Sequence, residues 1–225
     1  MAFLVLMVLL WLGLHIGVSG TSVRDTLVLR VGERSFRAIF SLLTTIALIL
    51  LILAYRGAPL ILVWVTPVWI GWVLVLLMLP AFILLVGSIA RRNPTAVGGQ
   101  GTTDEPRGVF RITRHPMLWA AAIWGFVHVV GNGDLASWLF FGAFLVTALA
   151  GMPSIDRKLA ARSPAAWERL AAATSIAPGR AIAEGRNRLV LEEIGLTVPI
   201  AGAVLWIALL FLHPWLFGVP PLPGS

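Results

Sequence analysis

Long apolar stretches alternate with short basic segments along the whole 225-residue chain. Sixteen of the 17 Lys and Arg residues lie in segments 20–37, 90–115 and 153–194, and the connections 56–67 and 132–134 carry only Arg56. The apolar stretches cover residues 2–19, 38–55, 68–89, 116–131, 135–152 and 195–213. Most approach the roughly 20 residues that a helix needs to cross a ~30 Å hydrocarbon core. The pattern therefore predicts an all-α polytopic membrane helix bundle with about six transmembrane helices.

The distribution of positive charge also predicts the topology. Cytoplasmic loops of membrane proteins are enriched in Lys and Arg, so we expect both termini outside and a multi-pass protein of the bacterial inner membrane. Residues 2–20 lack the positive n-region of a signal peptide, and we interpret them as a first transmembrane helix. We expect one transmembrane domain at 1–217 and a short periplasmic tail at 218–225.

The composition points to lipid as the main partner of the chain. It is 59% hydrophobic and 12% charged, with a mean hydropathy of +0.93, unlike an ordinary soluble domain. The net charge of +7 is spread over predicted cytoplasmic loop ends, where anionic headgroups explain it without nucleic acid. The absence of cysteine excludes disulfides and thiolate ligands.

Several local patterns refine this outline. Ser163 and Pro164 resemble an N-cap and first helical residue, and with Trp167 they predict a cytoplasmic amphipathic helix within 153–194. Residues 93–108, rich in Gly, Pro and Thr, predict a surface loop. Pro80 and Pro199 predict kinks in the third and sixth spans. We expect Glu192 and Glu193 at the entry of the sixth span, close to Arg186 or Arg188.

The chain has four histidines, and each lies in or at the end of an apolar stretch: His15, His115, His128 and His213. Histidines within membrane helices are candidate functional residues because a polar ring in hydrocarbon needs a partner. On ideal helices His128 lies ~20 Å from His115, so these two cannot share one metal ion. Three pairs remain open: His15 with His128, His15 with His115, and His128 with His213. Two imidazoles without thiolate or carboxylate partners suit haem better than structural zinc.

The segment from Arg111 to Pro116 contains a second candidate site. Pro116 is typical of the first turn of a helix, and the cations fit the membrane surface. The histidine beside Arg114 is not explained by these roles. Arg114 and His115 together predict a contact with an anion, such as phosphate, carboxylate or a haem propionate, at a helix N-terminus.

Several segments, in this order and spacing, resemble the NnrU family of integral membrane proteins. They are His15-Ile16-Gly17, Arg37-Ala38-Ile39-Phe40-Ser41-Leu42, Arg114-His115-Pro116-Met117 and Trp124-Gly125-Phe126-Val127-His128, followed by Asn132-Gly133-Asp134. NnrU proteins are associated with nitrite and nitric oxide metabolism in denitrifying bacteria. The resemblance therefore implies a role in denitrification and contacts with membrane proteins of that pathway.

Two related groups suggest possible chemistry. The chain resembles 15-cis-zeta-carotene isomerases, which are haem b proteins with histidines similar in position to His15 and His128. Their motif has a cysteine where this chain has Gly125, so a switch from histidine to cysteine ligation is impossible here. Isoprenylcysteine and phospholipid-type membrane methyltransferases share Arg114-His115-Pro116, but Leu118 and Ala120 replace their Tyr and Gly. Asp156 belongs to a looser similarity to the same group.

The sequence thus favours an NnrU-type inner-membrane protein that binds haem b between its helices. His15 and His128 are the expected iron ligands, with Arg114 and His115 as the expected propionate contact. Two alternatives stay open: a non-enzymatic accessory factor whose histidines stabilise the bundle, and a membrane isomerase or methyltransferase on the same scaffold.

Overall fold

A computed structural model describes residues 1–90 and 105–224 of the chain, and helices dominate both ranges. The predicted surface loop at 93–108 lies mostly outside the described residues. The helices are α1 Ala2–Leu12, a π-helical turn Gly13–Val18, α2 Val23–Val31, α3 Glu33–Arg56, α4 Val68–Ala90, α5 Val109–Ile112, α6 Pro116–Asn132, α7 Leu135–Arg162, α8 Pro164–Ala173, α9 Arg180–Ala183, α10 Leu191–Ile194 and α11 Thr197–Phe217. No β-strand forms within these ranges, which confirms the all-α prediction.

All six predicted apolar stretches are helical, and several are long enough to span a membrane. Within the described residues, α3, α4, α7 and α11 have the length and composition of membrane spans. A fifth is possible if Ala2–Val18 and Val23–Val31, which meet at a 77° bend, form one span. The fourth predicted span, α6, has 17 residues and a length of ~25 Å, slightly short of the hydrocarbon core. The chain is therefore a polytopic membrane protein.

Two helix boundaries correct the expectations from sequence. Residues 153–162 continue α7 instead of opening a separate segment, and only α8 to α10 form the predicted region beyond it. Ser163 is the N-cap of α8 and Pro164 opens that helix, as predicted, although the Ser163 side chain makes no capping bond. Pro199 lies in the first turn of α11, where a missing N–H breaks no helix bond, so the predicted kink there is wrong.

The chain divides into two compact units, Met1–Thr66 with Gly125–Gly151, and Pro67–Trp124 with Met152–Ser225. In the first unit, α1 packs against α3. The buried residues of α1 are Leu4, Met7, Val8 and Trp11, a spacing that places them on one face of the helix. Ala47, Leu51 and Ala54 form the matching buried face of α3.

Glycines allow the two helices that complete this unit to pack closely. A Cβ atom at Gly125 of α6 would lie 2.9 Å from the Phe141 carbonyl oxygen and 3.1 Å from Leu145 Cβ on α7. Gly133 joins these helices with a φ of +68°, a conformation that favours glycine. Asp134 then accepts a hydrogen bond from the Ser137 N–H at 2.9 Å, which caps the start of α7.

In the second unit, α4 packs along α11. The contact is close because a Cβ at Gly202 would lie 3.0 Å from the Ile83 backbone, a small-residue contact common between membrane helices. A separate core forms where Leu84 of α4 meets Val109, Phe110 and Ala120. Much of the outer surface of α11 is apolar and exposed, including Phe211 and Trp215, as expected for a helix that faces lipid.

Candidate functional site

The four histidines are distributed between the two units. His15 and His128 belong to the first unit, while His115 and His213 belong to the second. Of the three pairs that the sequence leaves open, only His15 with His128 therefore falls within one unit. His213 is half-buried near the end of α11, and its Nδ1 bonds to the Val219 carbonyl oxygen at 2.8 Å.

His15 lies in the π-helical turn Gly13–Val18. The Ser19 N–H reaches back five residues to the Leu14 carbonyl at 2.9 Å, which is the hydrogen bond of a π-helix. Single π-helical turns are rare and often occur at functional sites. The Nδ1 atom of His15 lies 2.9 Å from the Trp11 carbonyl oxygen. Because a carbonyl oxygen can only accept, Nδ1 carries the proton and Nε2 keeps its lone pair.

An aromatic cluster on α1 and α7, formed by Trp11, Phe140, Phe141 and Phe144, contacts both histidines. The His15 ring lies 4.0 Å from Trp11, and Trp11 lies 4.9 Å from Phe144, measured between ring centroids. The half-buried His128 stacks on Phe141 at 4.5 Å, with 25° between the ring planes. Phe141 and Phe144 are three residues apart and share a face of α7. Each imidazole therefore contacts a different ring of the cluster, His15 the Trp11 ring of α1 and His128 the Phe141 ring of α7.

The hydrogen bond of His15 is the one expected of a histidine that ligates haem iron. An axial histidine normally donates one ring N–H to a carbonyl or carboxylate and coordinates iron through the other nitrogen. His15 shows this arrangement, and aromatic and apolar side chains suit a porphyrin face. Within residues 1–90 and 105–224, no group of three or more His, Cys, Asp or Glu side chains could hold a metal ion. A haem with two axial imidazoles does not require such a group because the porphyrin supplies four nitrogens.

A second polar centre in the other unit contains Arg114, His115 and Asp156, which we call the buried triad. Arg114 reaches both carboxylate oxygens of Asp156, with Nε at 3.0 and 3.1 Å and an Nη at 2.8 Å. His115 Nε2 lies 2.8 Å from the same carboxylate. The side chains of the three residues are 11%, 0% and 9% exposed. The Asp156 carboxylate thus pairs with both Arg114 and His115, the two residues that the sequence predicted as an anion contact. Binding of phosphate or a haem propionate by these two residues stays a prediction.

Further bonds fasten the segment after α8 to the triad. Arg114 donates to the Thr174 carbonyl at 3.0 Å, and its guanidinium lies 5.1 Å from the centre of the Trp167 ring. Thr113 and Trp119 both donate to the Ile176 carbonyl, at 2.7 and 2.8 Å. Trp167, a residue of the predicted amphipathic helix, therefore contacts a buried cation. The triad connects the start of α6, the end of α7 and the segment after α8.

Glu193 has a partner that the sequence did not indicate. Its carboxylate accepts from Arg111 Nε at 2.7 Å and Nη2 at 2.8 Å and from the Gly108 N–H at 2.9 Å, whereas Arg186 pairs with Glu184. The sequence did not indicate Arg111 as a partner of Glu193, and the expected closeness of Glu192 and Glu193 to Arg186 or Arg188 stays a prediction. The hydrogen bonds from Arg111 lower the pKa of Glu193 to about 2. Glu193 lies in α10, just before the Gly195 break that precedes α11.

The sequence identified the histidines but missed several of their partners. The sequence pointed to Asp156 only through a loose family similarity. Asp156 is the one acidic residue of the long helix α7, and this could have marked it as a candidate functional residue. Trp11 and Thr147 were missed because each looks like an ordinary residue of an apolar helix. Their contact, a 3.0 Å bond from Trp11 Nε1–H to Thr147 Oγ1, joins positions 136 residues apart.

Comparisons with known proteins identify the family of this chain. Residues 3–221 match the family described as NnrU protein. The chain is 31% identical over 110 residues to the chloroplastic 15-cis-zeta-carotene isomerase of Zea mays, covering 48% of this chain and 30% of that protein. It is 30% identical over 114 residues to the Arabidopsis thaliana protein of the same name, covering 49% and 31%. The matched region is thus less than a third of either relative. No solved structure matches the chain. Because the family match covers nearly the whole chain, this protein belongs to the NnrU family.

Proposed function

We propose that this protein binds haem b in its first unit, and that His15 and His128 would hold it as ligands. The observation that carries the proposal is the 2.9 Å bond between His15 Nδ1 and the Trp11 carbonyl oxygen. It leaves Nε2, the nitrogen farther from the backbone, as the one that can donate electrons to iron. The π-helical turn at the same position gives independent support.

The chain would contribute ligands and a dry environment to this site. A haem with two axial imidazoles supplies one-electron redox chemistry when bound. His15 and His128 would hold the haem, and the aromatic cluster would exclude water from it. The burial of Trp11, Phe140 and Phe141, each at most 8% exposed, is consistent with this role.

The proposed cellular role is in nitrite and nitric oxide metabolism, at the bacterial cytoplasmic membrane. Its support is the association of NnrU proteins with denitrification, together with the apolar helices of this chain. In this proposal the protein works beside other membrane proteins of the same pathway.

A second candidate function is isomerisation of a carotenoid-like polyene within the membrane. The specific observation in its favour is the 31% identity to a protein named 15-cis-zeta-carotene isomerase. Gly125 limits how similar the mechanism can be because Phe141 and Leu145 leave no room for a larger side chain there. Incubation with 15-cis-zeta-carotene, followed by chromatography of the isomers, tests this candidate directly.

The spectrum of the purified full-length protein tests the haem proposal. Expressed with a supply of haem precursor, the wild type should show the Soret and visible bands of a low-spin ferric haem. His15→Ala and His128→Ala should each lose that spectrum. His213→Ala is the matched control because His213 also bonds a backbone carbonyl but lies in the other unit, and it should keep the spectrum.

The other outcomes are equally informative. If His15→Ala keeps the low-spin spectrum and His213→Ala loses it, His128 and His213 are the ligands and the present assignment is wrong. If the wild type takes up no haem at all, the accessory-factor alternative becomes the better explanation of the four histidines.

A further inference from the structure

Trp11 is fixed by three contacts that all bear on His15. Its carbonyl oxygen accepts the His15 Nδ1–H at 2.9 Å, and its ring lies 4.0 Å from the imidazole. Its indole Nε1–H donates to the Thr147 hydroxyl at 3.0 Å, and Trp11 is only 7% exposed. One residue therefore sets the tautomer of the imidazole, covers one of its faces and connects it to α7.

Thr147 is suited to receive this bond. Its Oγ1 donates to the Ala143 carbonyl at 2.7 Å, one turn earlier in α7. Because that bond uses the only hydroxyl proton, the oxygen can interact with Trp11 only as an acceptor. The indole N–H of Trp11 can only donate, so the two groups are matched. The two hydrogen bonds therefore run in one direction, from the Trp11 N–H to Thr147 and from the Thr147 hydroxyl to the backbone of α7.

We propose that Trp11 and Thr147 are positioning residues for His15 as a haem ligand. This inference rests on the proposed function above. Partners that orient a ligating histidine typically change metal affinity by about 10- to 100-fold when they are removed. Loss of the Trp11–Thr147 bond leaves the Trp11 carbonyl in place but frees the indole to turn. We therefore expect an effect near the lower limit, about a tenfold loss of haem affinity.

Two substitutions remove the bond from opposite sides. Thr147→Val keeps the shape of the side chain without its hydroxyl, and Trp11→Phe keeps an aromatic ring without the N–H. Each should raise the rate of haem transfer to apomyoglobin about tenfold, and the double variant should be no worse than either single variant because both lose the same bond. Thr147→Ser retains the acceptor and should behave as wild type. Trp72→Phe, at an exposed position of α4, is the control for loss of a tryptophan.

A measurement without haem separates this inference from the proposed function. In protein with ¹⁵N-labelled histidine, the ring nitrogen shifts should show His15 as the Nδ1–H tautomer. Thr147→Val should give a mixture of tautomers because the freed indole no longer holds the imidazole ring against the Trp11 carbonyl. If the wild type takes up no haem, both proposals fail. If it binds haem through His15 but Thr147→Val keeps both wild-type affinity and a single tautomer, only this inference fails. Equal losses in Thr147→Val and Thr147→Ser would also overturn it. Should Thr147→Val fail to fold, the ¹⁵N spectrum of Trp11→Phe decides the question.

Discussion

Removal of the Asp156 carboxylate should be the most destabilising single change in the second unit. Asp156 accepts three bonds from Arg114 and one from His115, all between 2.8 and 3.1 Å. Asp156→Ala would leave the guanidinium buried, with only 11% of its side chain exposed, and without the carboxylate that balances its charge. Breaking one side of a buried ion pair typically costs about 3–5 kcal/mol.

The structure places this substitution near the lower limit of that range. The Thr174 carbonyl and the Trp167 ring stay in contact with Arg114 after Asp156 is removed, which partly compensates the loss. We therefore expect Asp156→Ala to lower the free energy of unfolding by about 3 kcal/mol. Asp156→Asn keeps one acceptor oxygen and should cost about 2 kcal/mol, the value of a hydrogen bond to a charged group. Replacing Arg114 and Asp156 together by leucine should recover most of the loss because no unpaired charge remains.

Unfolding of the detergent-solubilised protein by sodium dodecyl sulfate, followed by circular dichroism, measures these differences. Asp25→Ala is the control because Asp25 also contacts an arginine, at 3.1 Å, but its side chain is 73% exposed. Such a pair should contribute less than about 1 kcal/mol. The reasoning is refuted if Asp156→Ala unfolds within about 1 kcal/mol of wild type, or if the double leucine variant is as unstable as Asp156→Ala.

Three further predictions concern other parts of the chain. The pKa of Glu193 is lowered to about 2 from a usual 4.5, so its ion pair with Arg111 should stabilise the fold above pH ~4.5 and weaken as the pH falls toward 2. Acid unfolding curves of wild type and Arg111→Gln should thus converge at low pH and differ by about 1 kcal/mol at neutral pH, and a constant difference would contradict this. Gly125→Ala should cost about 1–3 kcal/mol in the same detergent assay through overpacking between α6 and α7, and unchanged stability would refute the close contact. Reporter fusions after Asn93 and Arg180 should be active only on the cytoplasmic side, and periplasmic activity at either site would overturn the predicted topology.

The helices could be predicted from sequence because a membrane leaves few alternatives for an apolar stretch. Backbone N–H and C=O groups in hydrocarbon must bond within the segment, so residues such as 38–55 and 68–89 had to be helical. Helix ends were less predictable. α7 runs ten residues past the predicted boundary at 152 because leaving the hydrocarbon does not itself end a helix. Asp156 and Lys158 are charged, yet they continue the same helix.

The site was predictable only as a set of isolated residues. Histidine is conspicuous in an apolar stretch, which is why His15 and His128 stood out. Their partners depend on tertiary contacts that no local pattern encodes. Glu193 shows the difficulty, since the sequence pointed to the nearby Arg186 or Arg188 and did not indicate Arg111, which lies 82 residues away and donates to it. Closeness in sequence predicts an ion-pair partner only when the fold brings no other oppositely charged residue nearer.

The tautomers of two histidines help to choose among the ligand pairs. The Asp156 carboxylate acts as an acceptor from Arg114, so Nε2 of His115 donates to it and is occupied by that bond. Its Nδ1 atom is buried with no hydrogen-bond partner among the described residues, and its side chain is 0% exposed. His15 has the opposite arrangement, with Nδ1 bonded to the Trp11 carbonyl and Nε2 left to coordinate. His115, whose Nε2 is bonded to a carboxylate, is suited to holding Asp156 and Arg114 in place. His15, whose Nδ1 is bonded to a backbone carbonyl, is suited to metal ligation through Nε2. This difference favours His15 with His128 over any pair that includes His115.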